Sequence, residues 1–127
     1  MVKKNNQPPL ILKKWVQSIS LRNSKIMTDF YTDNSILLAT YEPLLFGKND
    51  IKKYFDKFLN KNELNCKLIM NYNQVNNRSK VIISSGFYEF SFVSDNGLTT
   101  IVDARYSFVF YNEKIVNHHS SETPIII

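Results

Sequence analysis

The chain has 127 residues, 43% of them hydrophobic, with only three glycines and four prolines; this excludes a disordered or low-complexity chain and leaves room for one core rather than two. The net charge is +5, but lysines outnumber arginines thirteen to three and acidic residues such as Asp50 and Asp56 lie among them, a scatter that speaks against a nucleic-acid surface. Cys66 is alone, so no intrachain disulfide forms, and no apolar run approaches the ~18 residues of a membrane span; the sequence reads as a soluble cytoplasmic protein without a signal segment or membrane partner.

Residues 1–9 read as a flexible arm closed by Pro8-Pro9, and residues 10–127 as a single domain. Leu12, Trp15, Val16 and Ile19 recur at i, i+3, i+4, i+7 and predict an amphipathic helix. Asn23-Ser24 interrupts it and caps a second short helix, with Ile26, Met27, Phe30 and Tyr31 as the apolar face and Asp33-Asn34 as its end. Ile36 to Ala39 predicts a short strand, and 41–46 an irregular loop. Gly47 then precedes the clearest helix, with Asp50 in capping-box position and Ile51, Tyr54, Phe55, Phe58 and Leu59 on one stripe. Lys52, Lys53, Lys57 and Lys61 form its solvated face.

Beyond residue 63 the period becomes two, and 64–72, 79–93, 99–111 and 114–121 predict strands. Asp95-Asn96-Gly97 is the strongest hairpin signal, and Asn112-Glu113 a weaker one. Helices followed by an antiparallel meander predict an α+β fold, with N-terminal helices on one face of a sheet that bends at Gly86 and encloses a cavity.

If Asn96-Gly97 and Asn112-Glu113 are two-residue loops, Tyr88 lies opposite Arg105, Arg105 opposite Ser120, and Ser107 opposite His118. Tyr88, Arg105, Ser107, His118 and Ser120 then share one polar face. Val102, Ala104, Tyr106, Phe108, Phe110 and His119 share the other, an apolar outer face that self-association would cover. Arg105 has two readings: it faces solvent or pairs with Asp103 or Glu89, or it lines the cavity and binds an anion. Adjacent strand residues point to opposite faces, so His118 and His119 cannot chelate one metal together, and neither metal nor cofactor is expected. Ser120 and Ser121 lack the turn that a nucleophile requires.

Trp15, the run Asp29-Phe30-Tyr31-Thr32-Asp33-Asn34 and residues 47–55 resemble the first half of a nuclear transport factor 2-like domain. Ser85-Gly86-Phe87-Tyr88-Glu89-Phe90, Ala104-Arg105-Tyr106-Ser107-Phe108-Val109 and His118-His119-Ser120-Ser121-Glu122-Thr123-Pro124 resemble bacterial relatives of the calcium/calmodulin-dependent protein kinase II association (hub) domain. The resemblance spans about residues 12–124 and implies a cone-shaped fold, a deep cavity and a homodimer or larger oligomer. It implies a cavity arginine at Arg105, while a second hub arginine would fall at Gly86. The resulting expectation is a ligand-binding oligomerisation domain whose cavity residues are Arg105, Tyr88, Ser107, His118, Ser120, Trp15 and Tyr31. The alternative is an isomerase, cyclase or hydrolase-like enzyme of the ketosteroid-isomerase type, drawing on Asp103, Glu89, Tyr31 and Tyr88.

Overall fold

The computed structural model describes residues 7–124, so most of the expected N-terminal arm lies outside the described residues. The elements are α1 (Leu10–Ser18), a 3₁₀ turn (Ile19–Leu21), α2 (Ser24–Thr28), β1 (Tyr31–Leu38), β2 (Leu45–Phe46), α3 (Gly47–Phe58), β3 (Asn62–Asn76), β4 (Val81–Val93), β5 (Thr99–Tyr111) and β6 (Lys114–Glu122). The strands form one sheet in the order β2-β1-β6-β5-β4-β3, with β1 parallel to β6 and every other neighbour antiparallel. This is the expected α+β architecture, with the N-terminal helices seated on the sheet's inner face.

The helices form where the apolar stripes and caps place them. α1 buries Leu12, Trp15 and Val16, and Ile19 extends that stripe. The Asn23 side chain accepts the Ile26 N–H and caps α2. At the start of α3 the Asp50 carboxylate accepts the Phe46 N–H at 3.1 Å, while Ile51, Phe55 and Leu59 are buried. The second helix is shorter than its pattern predicts. It stops at Thr28, and Tyr31 opens a strand instead, where Ser35 Oγ takes the Thr32 N–H and donates to the Ile115 carbonyl. No described helix is long and apolar enough to cross a membrane.

Two local details decide which side chains face the core. The β4–β5 hairpin closes with Ser94 N–H on the Leu98 carbonyl and Gly97 N–H on the Ser94 carbonyl, both at 2.8 Å, and Gly97 has φ +81°. The loop therefore holds three residues, Asp95 to Gly97, a turn followed by a left-handed residue. Tyr88 consequently lies opposite Ala104, and Arg105 opposite Phe87. The β5–β6 turn does have two residues, Asn112 and Glu113, both at positive φ, and sets Tyr111 opposite Lys114. A bulge follows, because Phe110 pairs with Ile115 but Val109 pairs with Asn117. The extra residue, Val116, shifts the remaining pairs, so Arg105 meets Ser121 and Ser107 meets His119.

The two one-residue shifts cancel between β4 and β6 and invert only β5. Tyr88, His118 and Ser120 keep a common face, and it is the inner one. Arg105 and Ser107 move to the outer face with His119, which corrects their expected place beside Tyr88. Ala104, Tyr106, Phe108 and Phe110 are buried in the core and are not an outer surface.

Gly86 lies on the inner face of β4, opposite Tyr106 and Asn71. A Cβ there would stand 1.9 Å from the Met70 carbonyl oxygen and 2.9 Å from the Tyr106 hydroxyl. Glycine is required because β3 bulges toward β4 between Leu68 and Met70.

Candidate functional site

Between α3 and the inner face of the sheet lies a cavity of about 390 Å³. Its walls are largely aromatic: Tyr54, Phe55 and Phe58 from α3 face Tyr88, Phe90 and Phe92 from β4. The stripe that buries α3 thus also builds one side of the cavity. Thr40, Glu42, Lys57, Lys61 and Glu122 bring polar groups to its lining. Lys57 and Glu42 are exposed, while the Lys61 ammonium lies 5.1 Å from the Phe58 ring centre and 5.6 Å from that of Phe92.

Its floor is polar and fully connected. Trp15 Nε1–H donates to Tyr31 Oη at 3.2 Å, and Tyr31 Oη lies 2.9 Å from His118 Nδ1. His118 Nε2 lies 3.2 Å from Tyr88 Oη, and Tyr88 Oη donates to Ser120 Oγ at 2.5 Å. Aromatic contacts hold the imidazole in place: Phe108 stacks on it at 3.8 Å between ring centres, and Trp15 meets it edge-on. Trp15 also stacks on Tyr88 at 5.7 Å.

Burial sets the charge state of this floor. Loss of solvent, reinforced by the charge of His119, pushes the His118 pKa down to about 3, so the ring is neutral near pH 7. Desolvation holds the Tyr31 and Tyr88 phenols well above their ordinary value, against the opposing effect of their hydrogen bonds with Trp15 and Ser120 respectively. None of the described Asp and Glu residues is buried. Among the described residues, no group of three His, Cys, Asp or Glu side chains could hold a metal.

Of the residues expected in the cavity, Trp15, Tyr88, His118 and Ser120 line it. Tyr31 stands behind the lining, fully buried, and links Trp15 to His118. Arg105 and Ser107 are absent from the lining; Arg105 is exposed, and Ser107 Oγ bonds Ser85 Oγ at 3.0 Å on the opposite face. The arginine match to kinase hubs therefore does not place a cation in this cavity. The sequence shows the wall residues from α3 only as the apolar stripe of a helix, and Val102 only as part of an expected outer face. Nothing in that pattern separates a side chain packed on others from one bordering a void.

The profile of the calcium/calmodulin dependent protein kinase II association domain matches residues 9–124. Among solved structures, one described as an association domain of this kind from Xanthomonas campestris is 26% identical, covers 91% of this chain and 85% of its own, and superposes with a TM-score of 0.81. A nuclear transport factor 2-like superfamily protein from Salmonella enterica is 17% identical over 91% of this chain and 87% of its own, with a TM-score of 0.75. A ketosteroid isomerase-like protein from Erwinia carotovora atroseptica shares 10% identity over 91% and 92%, with a TM-score of 0.72. The last two likenesses concern the fold alone. Comparison with curated protein sequences gave no match.

Proposed function

The chain belongs to the calcium/calmodulin dependent protein kinase II association domain family, and from that premise we propose that it is a self-associating domain whose cavity binds a small, mostly apolar, uncharged molecule without transforming it. The observation that carries the binding part is an aromatic-walled cavity of about 390 Å³ over a neutral, hydrogen-bonded floor. Arg105 is on the other face, and the lining lysines lie outside the hydrogen-bonded floor, Lys57 exposed to solvent and Lys61 over the Phe58 and Phe92 rings, so no cation on the floor offsets the cost of bringing in an anion. Toluene tests this reading. At saturation it should shift the indole N–H resonance of Trp15, the chain's one tryptophan; an unmoved signal contradicts it.

Self-association is supported by the outer face of the sheet. Met70 pairs with Phe87 and Phe87 with Arg105, and the row above carries Tyr72, Ser85 and Ser107. Met70, Tyr72, Phe87 and Ile101 are all exposed large apolar side chains. A face of this kind with an arginine among aromatic residues suits burial against a second copy. Sedimentation should give a multiple of 14.9 kDa for the wild-type chain and a shift toward monomer for Phe87→Asp. A wild-type monomer at micromolar concentration contradicts the proposal.

The enzyme reading draws on Tyr88 and His118, two chemically capable groups 3.2 Å apart inside the cavity. It requires a proton acceptor that works near neutrality. His118, with a pKa pushed to about 3, is a weak base, and the lining carboxylates Glu42 and Glu122 are exposed to solvent, which leaves no desolvated carboxylate for the role. Binding without turnover is the better-supported reading.

A further inference from the structure

The polar floor is a chain of hydrogen bonds with a direction, and the direction is set at its buried end. An indole N–H only donates, so Trp15 occupies Tyr31 Oη as an acceptor. The Tyr31 proton is then free to go to His118 Nδ1, the other partner of that hydroxyl. With Nδ1 accepting, a neutral imidazole carries its proton on Nε2 and donates it to Tyr88 Oη. Tyr88 in turn donates to Ser120 Oγ. The reverse order would aim both Trp15 and His118 donors at Tyr31 and strand the Tyr31 proton in a fully buried site. A stranded buried donor forfeits its solvation with nothing in return, which disfavours that order. No described acceptor takes the Ser120 hydroxyl proton, and Ser120 lines the cavity.

We propose that Ser120 Oγ–H is the specificity-determining donor of the cavity, so that the domain selects neutral ligands carrying a hydrogen-bond acceptor, such as a ketone, ester or ether oxygen, over carboxylates. This rests on the cavity-binding reading and names its ligand class. Each step toward the cavity polarises the next, which makes the terminal hydroxyl a better donor than an isolated serine. A carboxylate gains the same single bond but loses its hydration, and of the two lysines in the lining Lys57 is exposed to solvent while Lys61 rests over the Phe58 and Phe92 rings, outside the hydrogen-bonded floor.

The test is a pair of probes of one shape, acetophenone and α-methylstyrene, which differ in having C=O or C=CH₂. Their dissociation constants are read from the Trp15 indole N–H shift in wild type, Ser120→Ala and Ser120→Thr. The ratio of the two constants within each protein cancels most of the packing term, and its change between proteins cancels the difference in hydration of the probes. We expect the ketone's relative affinity to fall about 5–10-fold in Ser120→Ala, as befits one hydrogen bond, and to survive within about twofold in Ser120→Thr, which keeps the hydroxyl. Benzoate at pH 7 should bind wild type more weakly than acetophenone. Binding of both neutral probes with an unchanged ratio in Ser120→Ala, or benzoate binding the tighter, overturns the donor proposal and leaves the cavity reading intact. Failure of every probe to bind wild type overturns the cavity reading, and the donor proposal with it.

Discussion

Two chains of polar side chains run through the inner face of the sheet, and they end differently. One passes from Trp15 through Tyr31, His118 and Tyr88 to Ser120 and stops at a cavity. The other begins at Tyr106, whose hydroxyl donates to Asn71 Oδ1 at 2.7 Å; Asn71 Nδ2 donates to Asn73 Oδ1 at 2.8 Å, and Asn73 Nδ2 to the Gln7 carbonyl at 2.6 Å. Ser84 adds a donor to Asn73 Oδ1 at 2.7 Å. This second chain closes on the backbone and fastens β3, β4, β5 and the segment before α1 together. The second is buried along its side chains, whereas the first ends on the cavity, at a hydroxyl whose proton no described group accepts. A buried polar group is costly unless satisfied, so a chain that ends on open space points to something that arrives there.

Substitutions at the closed end should have the largest effect. Gly86→Ala drives a methyl group into the Met70 carbonyl, which is backbone and cannot swing away. We expect a loss of about 3 kcal/mol or more in urea denaturation, and a near-neutral result would mean that the bulge in β3 yields easily. Asn73→Ala leaves the Asn71 amide and the Ser84 hydroxyl without their acceptor. Stability should fall by about 2–3 kcal/mol while probe affinity in the cavity stays unchanged; a matching loss of affinity would show that the two chains are not separate.

The open chain should reveal itself through pH. The folded pKa of His118, at about 3, lies below its ordinary value of 6.5. The unfolded chain therefore binds the extra proton first as pH falls. The contribution of His118 is complete above about pH 6.5 and is lost progressively down to about pH 3, at a limiting slope of about 1.4 kcal/mol per pH unit. Between pH 7 and pH 5 the wild type should lose about 2 kcal/mol more than His118→Gln, as measured by urea midpoints at both pH values. Equal losses would mean that the ring is not desolvated. Ser120→Ala should be the mildest change, below about 1 kcal/mol in stability, because Ser120 borders the cavity and the Tyr88 hydroxyl can turn toward it. A larger loss would make Ser120 a structural residue rather than the cavity's donor.

How far the sequence speaks depends on the level asked of it. Strand positions were legible because period-two alternation and the turn residues around Gly97 and Asn112 are local signals. Facing was not, because it depends on loop length to one residue. Gly97 takes the left-handed place in a three-residue loop, and Val116 makes a bulge that no turn residue announces. The two shifts cancel for Tyr88, His118 and Ser120, which share a face in either register, and not for Arg105, which changes face. The uninterrupted series Val102, Ala104, Tyr106, Phe108, Phe110 was itself a signal that these positions face the core, stronger than a register counted from an assumed loop. Phe30 and Tyr31 continue the helical period of Ile26 and Met27, so the local pattern alone places Tyr31 on a helix. The strand won through pairing with residues more than eighty positions away, such as Ile115.

The direction of the hydrogen-bond chain is the claim on which the ligand class stands, and the nitrogen spectrum of His118 tests it most directly. Long-range proton–nitrogen correlation at neutral pH distinguishes the two neutral tautomers and the imidazolium. A single neutral form protonated on Nε2, with Nδ1 accepting from Tyr31, is expected. A ring protonated on Nδ1, or on both nitrogens, would contradict it.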